Sequence, residues 1–248
     1  MTLPHKTFSR LIVPAIGIGL AGAGTLVAVS TEAAAPAKPA NWSTRVTVTA
    51  NGSHMLGNPN APVKVTEYIS YTCSHCAALH KEGDPVLRDK ILPGGKVSVT
   101  VSHLMRDPID MTVAMLTPCG QPSAFFAHHN AFMSSQDVWL QKAINMPRET
   151  QARWYQGTPT ERMQAISSDL GFYQIMARFG MSKAKVDQCL ANQSQLANLQ
   201  AQLAETRALG VTGTPSFAIG KNLLPGHNWE SLSEGITQAL AQLTKGSI

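Results

Sequence analysis

Cys73-Ser74-His75-Cys76 is the stretch whose residue types and spacing can do chemistry. Two cysteines two residues apart, directly after the apolar run Val63–Ile69 and directly before a stretch that reads as helix, are a redox signature at a strand-to-helix junction. A helix that starts at the first cysteine points unpaired N–H groups and the positive end of its dipole at that sulfur, which favours thiolate over thiol. Cys73 is therefore the candidate nucleophile. Cys76, one turn on and facing the same way, can attack a mixed disulfide formed on Cys73 and release the bound partner, so it is the candidate resolving cysteine. His75 lies between them, where a partly cationic imidazole would further stabilise the Cys73 thiolate. Stabilising the reduced form makes the disulfide a stronger oxidant. Glu67 alternates onto the same strand face as Val65 and Ile69. An unpaired carboxylate there would have a raised pKa and could exchange a proton with Cys76.

The elements that must position these residues can be read from pattern and punctuation. Val63–Ile69 alternates as a strand, Ala77 to Lys90 reads as a helix, and after Pro93-Gly94-Gly95 the run Lys96–Val101 reads as a second strand. From Pro108 to Leu209 the chain is helical in character, with Thr160 and Ser182 as candidate caps and Gly210 closing the last helix. Gly213–Gly220 is a short strand-like run. Pro215 at its start has no N–H to donate, which suits a first strand residue or an edge. Asn228 is placed to cap a final helix with Leu232, Ile236, Leu240 and Leu243 along one face.

Composition narrows the class. An apolar content of 44% with 14% charged residues suits a packed globule. The net charge of +5 is dispersed, which argues against a nucleic-acid partner. Lys6 and Arg10 precede nineteen uncharged residues, Leu11–Val29, and then Ala33-Ala34-Ala35, the order of an export signal. Residues 1–35 are expected to be a cleaved signal peptide, with a retained membrane anchor as the alternative. Residues 36–56, with Pro36 and Pro39, are expected to be a linker. In an oxidising compartment disulfides persist. Reserving Cys73–Cys76 leaves Cys119 and Cys189 as the one further pair, expected to be a structural disulfide, against the alternative of two free buried thiols.

Cys73-Ser74-His75-Cys76 after Thr66–Thr72, together with Gly210-Val211-Thr212-Gly213-Thr214-Pro215-Ser216-Phe217, resembles the DsbA-like branch of the thioredoxin superfamily. The resemblance implies an α/β thioredoxin fold with an inserted α-helical domain: residues 57–104 and 208–248 would form the thioredoxin-like domain and 105–207 the insertion. It further implies that Cys73 is the surface nucleophile, Cys76 its buried partner and Glu67 the acid beneath them. Pro215 would be a cis-proline, with the Thr214 backbone binding extended substrate polypeptide. The implied activity is a thiol:disulfide oxidoreductase of the periplasm that acts on reduced or misoxidised exported polypeptides as a monomer. A quinone-linked membrane protein of the DsbB type would reoxidise it, and no cofactor or metal is needed. Ser74 stands where the best-known oxidases of the family have proline, and Thr214 is shared with isomerases and reductases, so those activities are the alternatives.

Two other readings compete. A structural zinc site on Cys73, His75, Cys76 and His80 lacks the second spaced pair that closed sites use. A non-catalytic peptide-binding chaperone would need neither a histidine between the cysteines nor an acid beneath them. His128 and His129, adjacent on a helix, are expected at the surface or in a groove, and Phe125, Phe126, Phe132 and Trp139 in the core.

Overall fold

The computed structural model describes residues 41–245. The expected export segment and the first part of the expected linker lie outside them. Strands β1 (Val46–Val48), β2 (His54–Gly57), β3 (Val63–Ile69), β4 (Val97–His103), β5 (Ser216–Ile219) and β6 (Asn222–Leu223) form one sheet in the order β1-β2-β4-β3-β5-β6. β3 and β4 run parallel, joined by helix α1 (Ser74–Val86), and the other neighbours are antiparallel. β3 is therefore central, and its C-terminal end delivers the chain to Cys73. Val65 and Ile69 on β3, Val99 and Val101 on β4, and Phe217 on β5 are all buried, with Leu232 and Ile236 of the last helix α10 (Trp229–Lys245) in the same core. α1 contains Pro85, which cannot donate to the preceding turn, and the chain continues past the helix as a wider π-helical turn over Leu87–Ile91.

The linker boundary at residue 56 is corrected by β1 and β2. His54, Met55 and Leu56 pair with Val101, Thr100 and Val99 of β4 and are buried. Strands of three and four residues are too short to show a period, so their membership is decided by the neighbouring edge of β4 and not by local pattern.

Between β4 and β5 the chain forms α2 (Pro108–Leu116), α3 (Phe125–Ser134), α4 (Gln136–Ile144), α5 (Arg148–Ala152), α6 (Pro159–Leu170), α7 (Phe172–Ala177), α8 (Lys183–Leu190) and α9 (Gln193–Ala208). The N-cap of α6 is Thr158, two residues before the expected cap Thr160. Thr158 accepts from the Glu161 N–H and Glu161 accepts from the Thr158 N–H, a reciprocal capping box, with Pro159 suited to the first helical position. Gly171 at φ +83° ends α6 and separates it from α7. Cys119, after α2, is bonded to Cys189 near the end of α8, with Cα atoms 5.6 Å apart. Phe125, Phe126, Phe132 and Trp139 are buried.

Candidate active site

Cys73 is the N-cap of α1, in extended backbone conformation, and its carbonyl accepts from the N–H groups of Cys76 (3.1 Å) and Ala77 (3.2 Å). The sequence folds this way because strand β3 ends at Ile69 and a four-residue turn, Ser70–Cys73, reverses into the helix; the Cys73 N–H donates to the Ser70 carbonyl at 3.2 Å. Neither cysteine of the pair is in a disulfide. Cys73, expected at the surface, retains only 4% exposure, and Cys76 retains none. Thr214 lies against Cys73: the Cys73 sulfur is 3.2 Å from the Thr214 carbonyl oxygen, to which it donates when protonated, and the Thr214–Pro215 peptide bond is cis.

The two sulfurs are driven apart in acidity. The Cys73 pKa is lowered to about 5, first by the Cys76 thiol hydrogen-bonding toward it and then, against the opposing effect of burial, by Thr214 and the backbone N–H groups of Cys76 and His75. Burial, followed by the hydrogen bond and charge of Cys73, pushes Cys76 well above an ordinary thiol. At neutral pH the pair therefore holds one thiolate, on Cys73, and one thiol. His75 is exposed, and its backbone N–H belongs to the group that stabilises Cys73.

Glu67 lies on β3 opposite Val101 of β4 and Phe217 of β5. It lines a cavity of about 30 Å³ with His80, Asp84, His129 and Trp229, large enough for water. Burial, and secondarily the negative charge of Asp84, raise its pKa to about 7. Its charge also contributes to raising Cys76. A carboxyl that titrates near neutrality can hold or release the proton that Cys76 must take up as a leaving group.

The turn before Cys73 is held by side chains of the helical segment, and these the sequence reading missed. Asp110 of α2, fully buried, accepts from the Ser70 hydroxyl (2.5 Å), the Tyr71 N–H (2.7 Å) and the Arg106 N–H (3.0 Å). Asp107, the N-cap of α2, accepts from the Thr72 hydroxyl. Gln136 of α4 donates to the carbonyls of Tyr71 (2.7 Å) and Cys73 (2.8 Å). The Tyr71 hydroxyl lies 2.9 Å from Nδ1 of His129. Asp107 before Pro108 carries the local mark of a helix cap, but nothing local marks any of these residues as a partner of the turn, which each meets only after the chain has folded.

His128 and His129 correct the expectation of a surface or groove position. α3 packs against α1, α4 and α7, so two directions on it are enclosed. His128 donates from Nδ1 to the Thr117 carbonyl at 2.9 Å, and His129 stands edge-on to His80 with ring centroids 4.9 Å apart. His80 in turn donates to Asn130 at 2.9 Å. Among the described residues no group of three histidine, cysteine, aspartate or glutamate side chains is arranged to hold a metal ion.

Residues 49–238 match the family described as Thioredoxin. A crystal structure described as protein-disulfide isomerase from Novosphingobium aromaticivorans superposes with a TM-score of 0.74 at 42% identity, over 77% of this chain and 99% of that one. The crystal structure of α-DsbA1 from Wolbachia pipientis shares the fold, with a TM-score of 0.61 at 21% identity over 79% of this chain and 96% of that one. Two proteins provisionally named protein-disulfide oxidoreductases are also similar. The one from Rickettsia typhi is 26% identical over 79% of this chain and 64% of its own length, and the one from Rickettsia conorii 28% identical over 86% and 70%. The chain thus spans about two thirds of the length of these curated relatives.

Proposed function

We propose, for a chain that belongs to the thioredoxin family, that it is a thiol:disulfide oxidoreductase acting on polypeptides through Cys73 and Cys76. The observation that carries this reading is the geometry at the start of α1: Cys73 is the helix N-cap with Thr214 against its sulfur and Cys76 lies fully buried one turn on, an arrangement that favours thiolate on Cys73 and thiol on Cys76. The names carried by the Novosphingobium and Rickettsia proteins agree with it.

In the oxidising direction a substrate thiolate attacks the Cys73 sulfur of a Cys73–Cys76 disulfide. The sulfur–sulfur bond breaks, a mixed disulfide forms on Cys73, and Cys76 leaves as a thiolate that takes a proton, with Glu67 as the proposed donor. A second substrate thiolate then attacks the substrate sulfur of the mixed disulfide. The substrate gains a disulfide, and Cys73 leaves as a thiolate whose low pKa makes it a good leaving group. Thr214, whose carbonyl oxygen lies 3.2 Å from the Cys73 sulfur in the reduced chain, and Pro215 would hold the substrate backbone in an extended pose beside the sulfur.

We assign the donor role in the periplasm to this chain, with export by residues 1–35, action as a monomer, and reoxidation by a quinone-linked membrane protein of the DsbB type. The low Cys73 pKa supports an oxidant. Among the described residues no helix is long and apolar enough to cross a membrane. A second reading, isomerase, is favoured by one observation, the name of the 42% identical Novosphingobium protein. The reduction potential of the Cys73–Cys76 couple tests the choice: a value near about −120 mV supports the donor, and one near about −270 mV overturns it. Turnover of a reduced, unfolded protein, compared with scrambled-disulfide rescue, separates oxidase from isomerase, and a purely stoichiometric protective effect would overturn both.

A further inference from the structure

We propose that Gln136 is a positioning residue of the exchange site, holding the carbonyls of Tyr71 and Cys73 so that the Cys73 sulfur faces the first-turn N–H groups of α1. The inference rests on the exchange chemistry proposed above for Cys73 and Cys76. Gln136 opens α4, 63 residues from Cys73 in the chain, and is 3% exposed. A buried primary amide is costly unless its hydrogens find acceptors. Its Nε2 finds two, 2.7 Å from the Tyr71 oxygen and 2.8 Å from the Cys73 oxygen, bracketing Thr72. The Cys73 carbonyl already accepts from the N–H groups of Cys76 and Ala77 within the helix. It has no unmet acceptor for Gln136 to satisfy, so the amide acts on where this carbonyl points.

α4 is itself anchored. One turn beyond Gln136, Trp139 is buried, donates from Nε1 to the Phe132 carbonyl at 3.1 Å and stands edge-on to Phe172 with centroids 5.4 Å apart. The amide is thus a rigid strut from the helical segment to the N-cap turn. Asp110 and Asp107 hold the same turn through Ser70, Tyr71 and Thr72, while Gln136 alone among these three reaches Cys73 itself. Removing the amide leaves the Cys73 carbonyl oriented only by the Cys76 and Ala77 N–H groups and unties it from the Tyr71 carbonyl, so the N-cap turn, and the sulfur with it, can shift away from the N–H groups of His75 and Cys76 that favour its thiolate. The expected consequence is a weaker thiolate and a less oxidising disulfide, beyond any loss of stability.

Q136M keeps the side-chain length and removes both donors. In the reduced full chain, the thiolate absorbance titration of Cys73 is expected to move up by about one pKa unit, with a tenfold slower alkylation below the midpoint. The equilibrium with glutathione is expected to shift about tenfold, about 30 mV toward reducing. If Q136M loses stability while the titration and the glutathione equilibrium stay unchanged, Gln136 is a packing residue and the inference is overturned. Should Q136M not fold, the wild-type protein carries the test: the Gln136 side-chain amide resonances should shift with the Cys73 midpoint, and amide signals flat across that titration overturn the inference. A wild-type protein that neither titrates low at Cys73 nor exchanges disulfides overturns the exchange reading and this inference with it. A wild type that does both, with Q136M unmoved, overturns this inference alone.

Discussion

At the scale of single residues, burial has made ordinary groups titrate where chemistry needs them. Glu67 is the clearest case. Its pKa is raised from 4.5 to about 7, first by burial, so the folded chain keeps a proton that the unfolded chain gives up at lower pH. The stability this provides is fully present below about pH 4.5 and is lost as the pH rises through 7. Glu67→Gln keeps the shape and removes the titration. It is expected to be more stable than wild type at pH 8, on the order of 1–2 kcal/mol, and no more stable at pH 4, as urea unfolding at the two pH values would show. The same variant is expected to slow release of Cys76 about tenfold or more at pH 7 in stopped-flow reduction by a model dithiol. Unchanged rates would remove Glu67 from the proton path. Cys73→Ser is expected to abolish turnover, since it removes the sulfur that forms the mixed disulfide.

At the scale of elements, the site is a junction between the end of β3, the start of α1 and the starts of α2 and α4. Asp110 ties these together by accepting three hydrogen bonds at the N-terminal turn of α2. Asp110→Ala would leave the buried Tyr71 N–H and Ser70 hydroxyl without that acceptor, and a loss of about 2–4 kcal/mol is expected in urea unfolding. A loss below about 0.5 kcal/mol would show that the turn is held without it. The Cys119–Cys189 bond closes a span of 70 residues across the helical segment. The double variant Cys119→Ala, Cys189→Ala is expected to lose about 4 kcal/mol on chain-closure grounds, read from chemical unfolding of the non-reduced protein. Non-reducing peptide mapping of the wild type should recover the joined peptide.

At the scale of the whole molecule, buried histidines in several elements take stability away as the pH falls. His54, stacked on Phe125 with centroids 4.0 Å apart, and His103 are both held to about 4, chiefly by burial, and His129 is held well below its ordinary value for the same reason. They fold neutral, whereas the unfolded chain protonates them below 6.5. Their contribution to stability is complete above pH 6.5 and is lost as the pH falls toward 4. His54→Phe preserves the ring stack and is expected to gain about 1–2 kcal/mol over wild type at pH 4.5, with a smaller difference at pH 8, in thermal unfolding across pH. An identical offset at both would mean that His54 does not titrate on unfolding.

The sequence by itself determined what is encoded within one turn or one strand. Cysteines three apart share a helical turn, Glu67 alternates onto the β3 face, a proline before a short apolar run starts a strand, and about a hundred residues of helical character separate the two halves of the sheet. These are local relations, carried by backbone geometry. Only the tertiary structure decided which helices return to the turn before Cys73. Gln136 and Asp110 gain their meaning from acceptors and donors 63 and 39 residues away. His128 and His129 are enclosed by neighbours that no period announces, and β1 and β2 are strands because the β4 edge pairs with them. The physical reason is the same throughout: a polar group's hydrogen-bond partner, and the water it loses, are properties of the packed chain, whereas the spacing of Cys73 and Cys76 already places them together before the chain has packed.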